Sequence, residues 1–134
     1  MLRILLFFMS FSITSTSWSN EVISDPETVK NIFNGKTVYG QHLRKKKPGY
    51  NVYFNPNGTF HRFNEQGKTN TGKWHIDNKA RQCLEFAHKP GRVLCRAIMP
   101  AFVDGIYFRV RLKGDKRIKA VKFEDFREGD QVPK

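Results

Sequence analysis

Acidic residues are scarce in the part of the chain that is most basic. The 134 residues hold 12 Asp and Glu against 24 Lys and Arg. Between Thr28 and Phe123 the acids are Glu65, Asp77, Glu85, Asp104 and Asp115 alone, while Glu124, Asp125, Glu128 and Asp130 gather at the C-terminal end. Paired carboxylates for acid–base catalysis therefore have few candidates. Glu124 and Asp125 are neighbours on a strand and point to opposite faces, which leaves Glu85 and Asp104 to be brought together by folding. Cysteine is scarcer still, with Cys83 and Cys95 alone. Their spacing is not the C-x-x-C of a redox dithiol, and a zinc site would need two more ligands close by. The chain also lacks G-x-S-x-G, H-E-x-x-H and P-loop patterns, internal repeats and low-complexity tracts. No enzyme, catalytic residue, cofactor or metal site is expected from it.

Long apolar runs are missing too, apart from Ile4–Phe11 near the start. That run follows Arg3 and precedes small polar residues, the three-part pattern of a secretory signal peptide, and it is too short to span a bilayer. Ser17 and Ser19 around Trp18 suit cleavage after Ser19. Residues 1–19 are read as the signal peptide and 20–134 as a single domain with an acidic C-terminal tail, secreted or periplasmic and without a transmembrane segment after processing. The processed chain keeps 23 basic residues against 12 acidic ones, a net of +11. A field of this sign favours anionic partners such as lipopolysaccharide phosphate, anionic lipid or acidic glycan.

Turn signals at intervals of about ten residues divide the chain into short alternating runs, the mark of antiparallel sheet. The spacing predicts strands over 37–40, 50–54, 59–63, 71–76, 81–86, 92–99, 105–112 and 117–123. A helix precedes them in "SDPETVKNIFNG", with Ser24 as N-cap, Glu27 completing a capping box, Pro26 in the first turn, and Gly35 closing it. Val29, Ile32 and Phe33 make its apolar stripe. One short helix and eight strands in meander order predict an all-β protein, a small antiparallel up-and-down barrel or strongly curled sheet.

Hairpin arithmetic then assigns partners. Folding about Lys89 sets Cys83 opposite Cys95, and in an exported chain that is a structural disulfide. Folding about Lys68 sets His61 opposite His75, a pair with no acidic or sulfur ligand in the same phase and so no metal site. Folding about Gly114-Asp115 sets Leu112 opposite Ile118 and Val110 opposite Ala120, with a bulge after Ala120. On this reading Ile106, Phe108, Val110 and Leu112 face the core, while Arg109, Arg111 and Lys119 share the outer face. Together with the loop residues Arg44, Lys45, Lys46 and Lys47, they are the candidate anion-binding residues. Phe54, Phe60, Trp74 and Phe108 fall on the core phase, which argues against base stacking and so against nucleic acid.

"GKTVYG" (35–40), "YFNPNGTF" (53–60), "TGKWHI" (71–76) and the two cysteines around a hairpin resemble, in this order, a proteobacterial family of small exported proteins of unknown function. The resemblance implies a calycin-like, lipocalin-like barrel and brings no activity with it. Gly72-Lys73-Trp74 lies in the fourth strand, whereas lipocalins carry G-x-W near the first. The expected function is binding of an anionic envelope component. A protein-interaction module, such as an inhibitor of a secreted enzyme, and a carrier of a small apolar ligand are the alternatives.

Overall fold

A computed structural model of the chain describes residues 21–133; the expected signal segment and its cleavage point lie outside them. Pro26–Phe33 form the helix α1. Eight strands follow: β1 (Lys36–His42), β2 (Tyr50–Phe54), β3 (Thr59–Asn64), β4 (Thr69–Ile76), β5 (Arg81–Phe86), β6 (Val93–Pro100), β7 (Tyr107–Lys113) and β8 (Lys116–Glu128). Each strand pairs antiparallel with the next and β8 returns to β1, closing an up-and-down barrel. Closure leaves no edge strand unpaired.

The helix plugs one end. Its N-cap is Asp25 rather than Ser24: the Asp25 carboxylate accepts hydrogen bonds from the Thr28 amide at 3.2 Å and the Thr28 hydroxyl at 2.6 Å. Pro26 occupies the first helical position, which suits a residue without an N–H and fixes the cap at the residue before it. Asn34 ends the helix, and Gly35 follows at φ +71°, open to glycine at little cost. Val29 and Phe33 are fully buried. The Phe33 ring meets Phe54 and Phe123 edge-on, each at 5.2 Å. Phe54 in turn stacks edge-on with Trp74 at 5.3 Å, and the Trp74 indole N–H donates to the Asn55 carbonyl. This half of the barrel is filled by aromatic rings.

Two hairpin registers differ from expectation. His61 lies opposite Thr71, and His75 opposite Cys83. The β3–β4 loop turns two residues earlier than a pivot at Lys68, so the two histidines never meet; His61 contacts Asp130 at 3.0 Å instead. In the last hairpin Lys113 pairs with Lys116, Leu112 with Arg117 and Val110 with Lys119. The connection is therefore a two-residue turn, Gly114-Asp115, with Gly114 at φ +59°. Positive φ at the first central residue matches the right-handed twist of the strands it joins. The expected bulge is present, since the register shifts between Arg109 and Val110 opposite Ala120.

β8 also runs on to Glu128, so Glu124, Asp125 and Glu128 belong to a strand and not to a tail. Glu124 pairs with Tyr39 and Glu128 with Lys36 of β1. Asp125, at φ +57°, falls where that register shifts by one residue.

Candidate anion-binding mouth of the barrel

The end away from α1 is where β1 finishes and β2 begins, so the loop 43–49 with its four consecutive basic residues hangs over it. Side chains that alternate inward along the strands converge here. Ile98 pairs with Arg109 and Arg109 with Val121, and Ile98 and Val121 belong to the interior cluster. Arg109 therefore points into the barrel. It is 7% exposed, and its guanidinium donates to the Leu94 carbonyl at 3.2 Å while its Nε has no partner. The expected outer face for Arg109 and Arg111 is thus corrected. Ala97, Met99 and Val110 take the outer side of β6–β7, where Val22 and Phe108 pack on them. The Ile23 amide also bonds the Ile98 carbonyl at 2.8 Å. Alternation alone cannot tell an apolar face turned inward from one covered by a neighbouring segment. Lys119 stays outside, its Nζ 4.4 Å from the centre of the Phe108 ring. Phe108, expected in the core, is on that outer side as well.

Arg109 and Arg111 line a cavity of about 310 Å³ together with Arg44, Lys45, Arg96 and His42. Its remaining wall is apolar: Leu94, Ile118, Ala120 and Val121. A neighbouring cleft of about 250 Å³ shares His42 and adds Lys47, Tyr50, Arg62 and Lys68. Neither contains an Asp or Glu. Of the seven candidate residues, Arg44, Lys45, Arg109 and Arg111 are brought together, Lys47 is next door, Lys46 lines neither space and Lys119 is elsewhere. Arg96 and Arg62 were missed, although each carried a signal: both occupy core-phase positions, between Leu94 and Ile98 and two residues after Phe60.

Five acids among the described residues are paired with groups that line neither space. Asp77 pairs with Arg81, Glu124 with Lys122, Asp125 with Arg127 and Glu128 with Lys36. Glu65 accepts the Tyr39 hydroxyl at 2.5 Å. The mouth cations are held instead by rings and carbonyls. Arg62 lies 4.8 Å over the Tyr50 ring and 4.6 Å over the Phe86 ring, and Arg96 donates to the Cys95 carbonyl at 3.0 Å. Tyr50 reaches this place because Gly40, opposite it on β1, has no side chain; a Cβ there would sit 2.6 Å from the phenol ring.

Burial first, and crowding of like charge second, lower the proton affinity of the basic groups at the mouth. Burial pushes Arg109 down to about 10, Arg96 and Arg62 push the same way, and the Tyr50 phenol opposes them. Burial also lowers Arg96, helped by Arg111 and Arg81. His42 is held below its ordinary value by burial first, then by Arg62, Lys47, Lys45 and Arg109. A guanidinium buried among like charges carries a desolvation cost that no carboxylate lining these spaces offsets.

The described residues define a small closed β-barrel with one end plugged by a helix and the other lined by uncompensated cations. The chain matches no protein-family model, no curated protein and no solved structure in comparisons with each. Cys83 and Cys95 form a disulfide, and no helix among the described residues is long and apolar enough to cross a membrane.

Proposed function

We propose that the chain is an exported, non-enzymatic binding protein of the bacterial envelope. It would take an anionic envelope component at the open mouth of the barrel, a reading in keeping with the small exported proteins that its sequence resembles. The observation that carries this reading is the cavity lined by Arg44, Lys45, Arg96, Arg109 and Arg111 without one carboxylate. Export is supported by the N-terminal sequence pattern and by the disulfide, which persists in oxidising compartments. A carrier of an apolar molecule is less well supported, since Phe33, Phe54, Phe60, Trp74 and Phe123 fill the apolar half of the interior.

Retention on vesicles containing lipopolysaccharide or anionic phospholipid tests the reading. Charges that act together on a polyanion release its counterions, so retention should fall steeply as salt rises. Arg44→Glu with Lys45→Glu, at exposed loop positions, should move release to clearly lower salt with little change in melting temperature. Retention that ignores both salt and this pair would remove the mouth from the account.

A further inference from the structure

We infer that the cavity is a site for a small phosphate monoester, whose phosphoryl group is gripped by Arg96, Arg109 and Arg111 while its carbon part lies on Leu94, Ile118 and Val121. This rests on the reading of the mouth as an anion site and narrows it. Arg109 is nine-tenths buried and turned into a cavity closed below by the packed interior. A stiff polymer cannot reach it, whereas a single oxyanion on a slender molecule, or on a lipid headgroup that enters the mouth, can. The Arg109 guanidinium uses one N–H on the Leu94 carbonyl and leaves its Nε without a partner. Arg96 spends one on the Cys95 carbonyl, and the arginine fork has five.

Phosphate suits this set better than a carboxylate. Its charge approaches −2 near neutral pH and it offers three acceptor oxygens. Guanidinium groups bind such oxygens in parallel pairs. The volume, about 310 Å³, is at the small end for ligand cavities, and the apolar wall beside the cations gives a short ester chain or ring a surface to cover. The ester would come either from a soluble metabolite or from the terminal phosphate of a lipid headgroup.

His42 reports on occupancy. In the free protein it lies 5.3 Å from the Tyr50 ring of β2, and burial first, then Arg62 of β3, the loop lysines Lys47 and Lys45 and Arg109 of β7, hold it below its ordinary pKa. A bound phosphoryl group offsets part of this positive charge, so the His42 pKa should rise on binding, as followed by NMR titration of its ring protons.

Phenyl phosphate, inorganic phosphate and phosphatidic acid vesicles are the probes, with phosphatidylcholine vesicles as the blank, read by calorimetry at fixed ionic strength. Phenyl phosphate should bind one to one and more tightly than inorganic phosphate, because only the ester covers the apolar wall. Arg109→Gln and Arg96→Gln should each weaken it about tenfold or more, the worth of a lost charge-assisted hydrogen bond. Lys119→Gln, on the outer face, should change nothing. Arg111→Gln, exposed and free of folding risk, carries the test if Arg109→Gln does not fold. Phosphatidic acid vesicles that compete with phenyl phosphate point to a lipid headgroup, and vesicles that do not compete point to a soluble ester. Absence of saturable phenyl phosphate binding, or binding unaffected by Arg96→Gln and Arg111→Gln, overturns the inference. If salt-sensitive vesicle retention survives that result, the broader anionic reading stands without the cavity; if phenyl phosphate binds and retention is salt-insensitive, the reverse holds.

Discussion

Phe33→Ala is expected to lower the unfolding free energy by about 3–5 kcal/mol, the usual cost of deleting a buried phenyl ring in a core that relaxes incompletely. The ring is fully buried and touches three others, Phe54 and Phe123 edge-on and Phe126 at 5.8 Å. These belong to β2 and β8, so the side chain ties the helix to two strands that flank β1. Loss of the ring would leave a cavity between two strands and a helix. Urea unfolding followed by far-ultraviolet circular dichroism measures the change. Phe33→Leu, which keeps much of the volume, should cost clearly less. A loss below about 1 kcal/mol for the alanine variant would mean that the helix sits loosely and that the barrel is closed there by its own side chains. The mouth is at the other end, so the surviving folded fraction should bind anions as before.

The barrel was legible because its signals are local. Asn-Gly at 57–58 fixes one hairpin, and alternation within "YNVYF" and "TFHRF" places Phe54 and Phe60 on the core phase, which the burial of both bears out. Cys83 opposite Cys95 followed from a turn whose centre was marked by Lys-Pro-Gly. The site was half legible. The loop at 44–47 and the arginines of β7 were found, but their common destination was not, because inside and outside are decided by what lies beyond the strand. Val110 is apolar and buried, yet it faces away from the barrel axis into a cluster with Val22. A one-residue error in a turn reverses every side chain after it, which is how Arg109 and Lys119 came to share a face on paper. A guanidinium at a core-phase position is itself the informative anomaly, as Arg62 and Arg96 show.

Replacing both cysteines, Cys83→Ser with Cys95→Ser, is expected to cost about 2–4 kcal/mol, since the bridge closes a loop of sequence separation 12 in the unfolded chain. For a domain of this size the melting temperature should fall by about 10 °C. The sheet should survive, because Cys83 and Cys95 are also paired through the backbone register of β5 and β6, with Leu84 opposite Leu94 beside them. The bridge sits next to the mouth: the Leu94 carbonyl holds Arg109 and the Cys95 carbonyl holds Arg96. Both contacts are made by backbone oxygens that the ladder positions without help from sulfur. Anion affinity measured well below the melting temperature should therefore change little in the serine variant, while thermal stability drops. Peptide mapping of the wild-type protein without reductant should recover 83 joined to 95. Two thiols open to alkylation in the native protein would overturn the bridge, and a tenfold loss of affinity in a well-folded serine variant would show that the disulfide, and not the ladder, sets the two arginines.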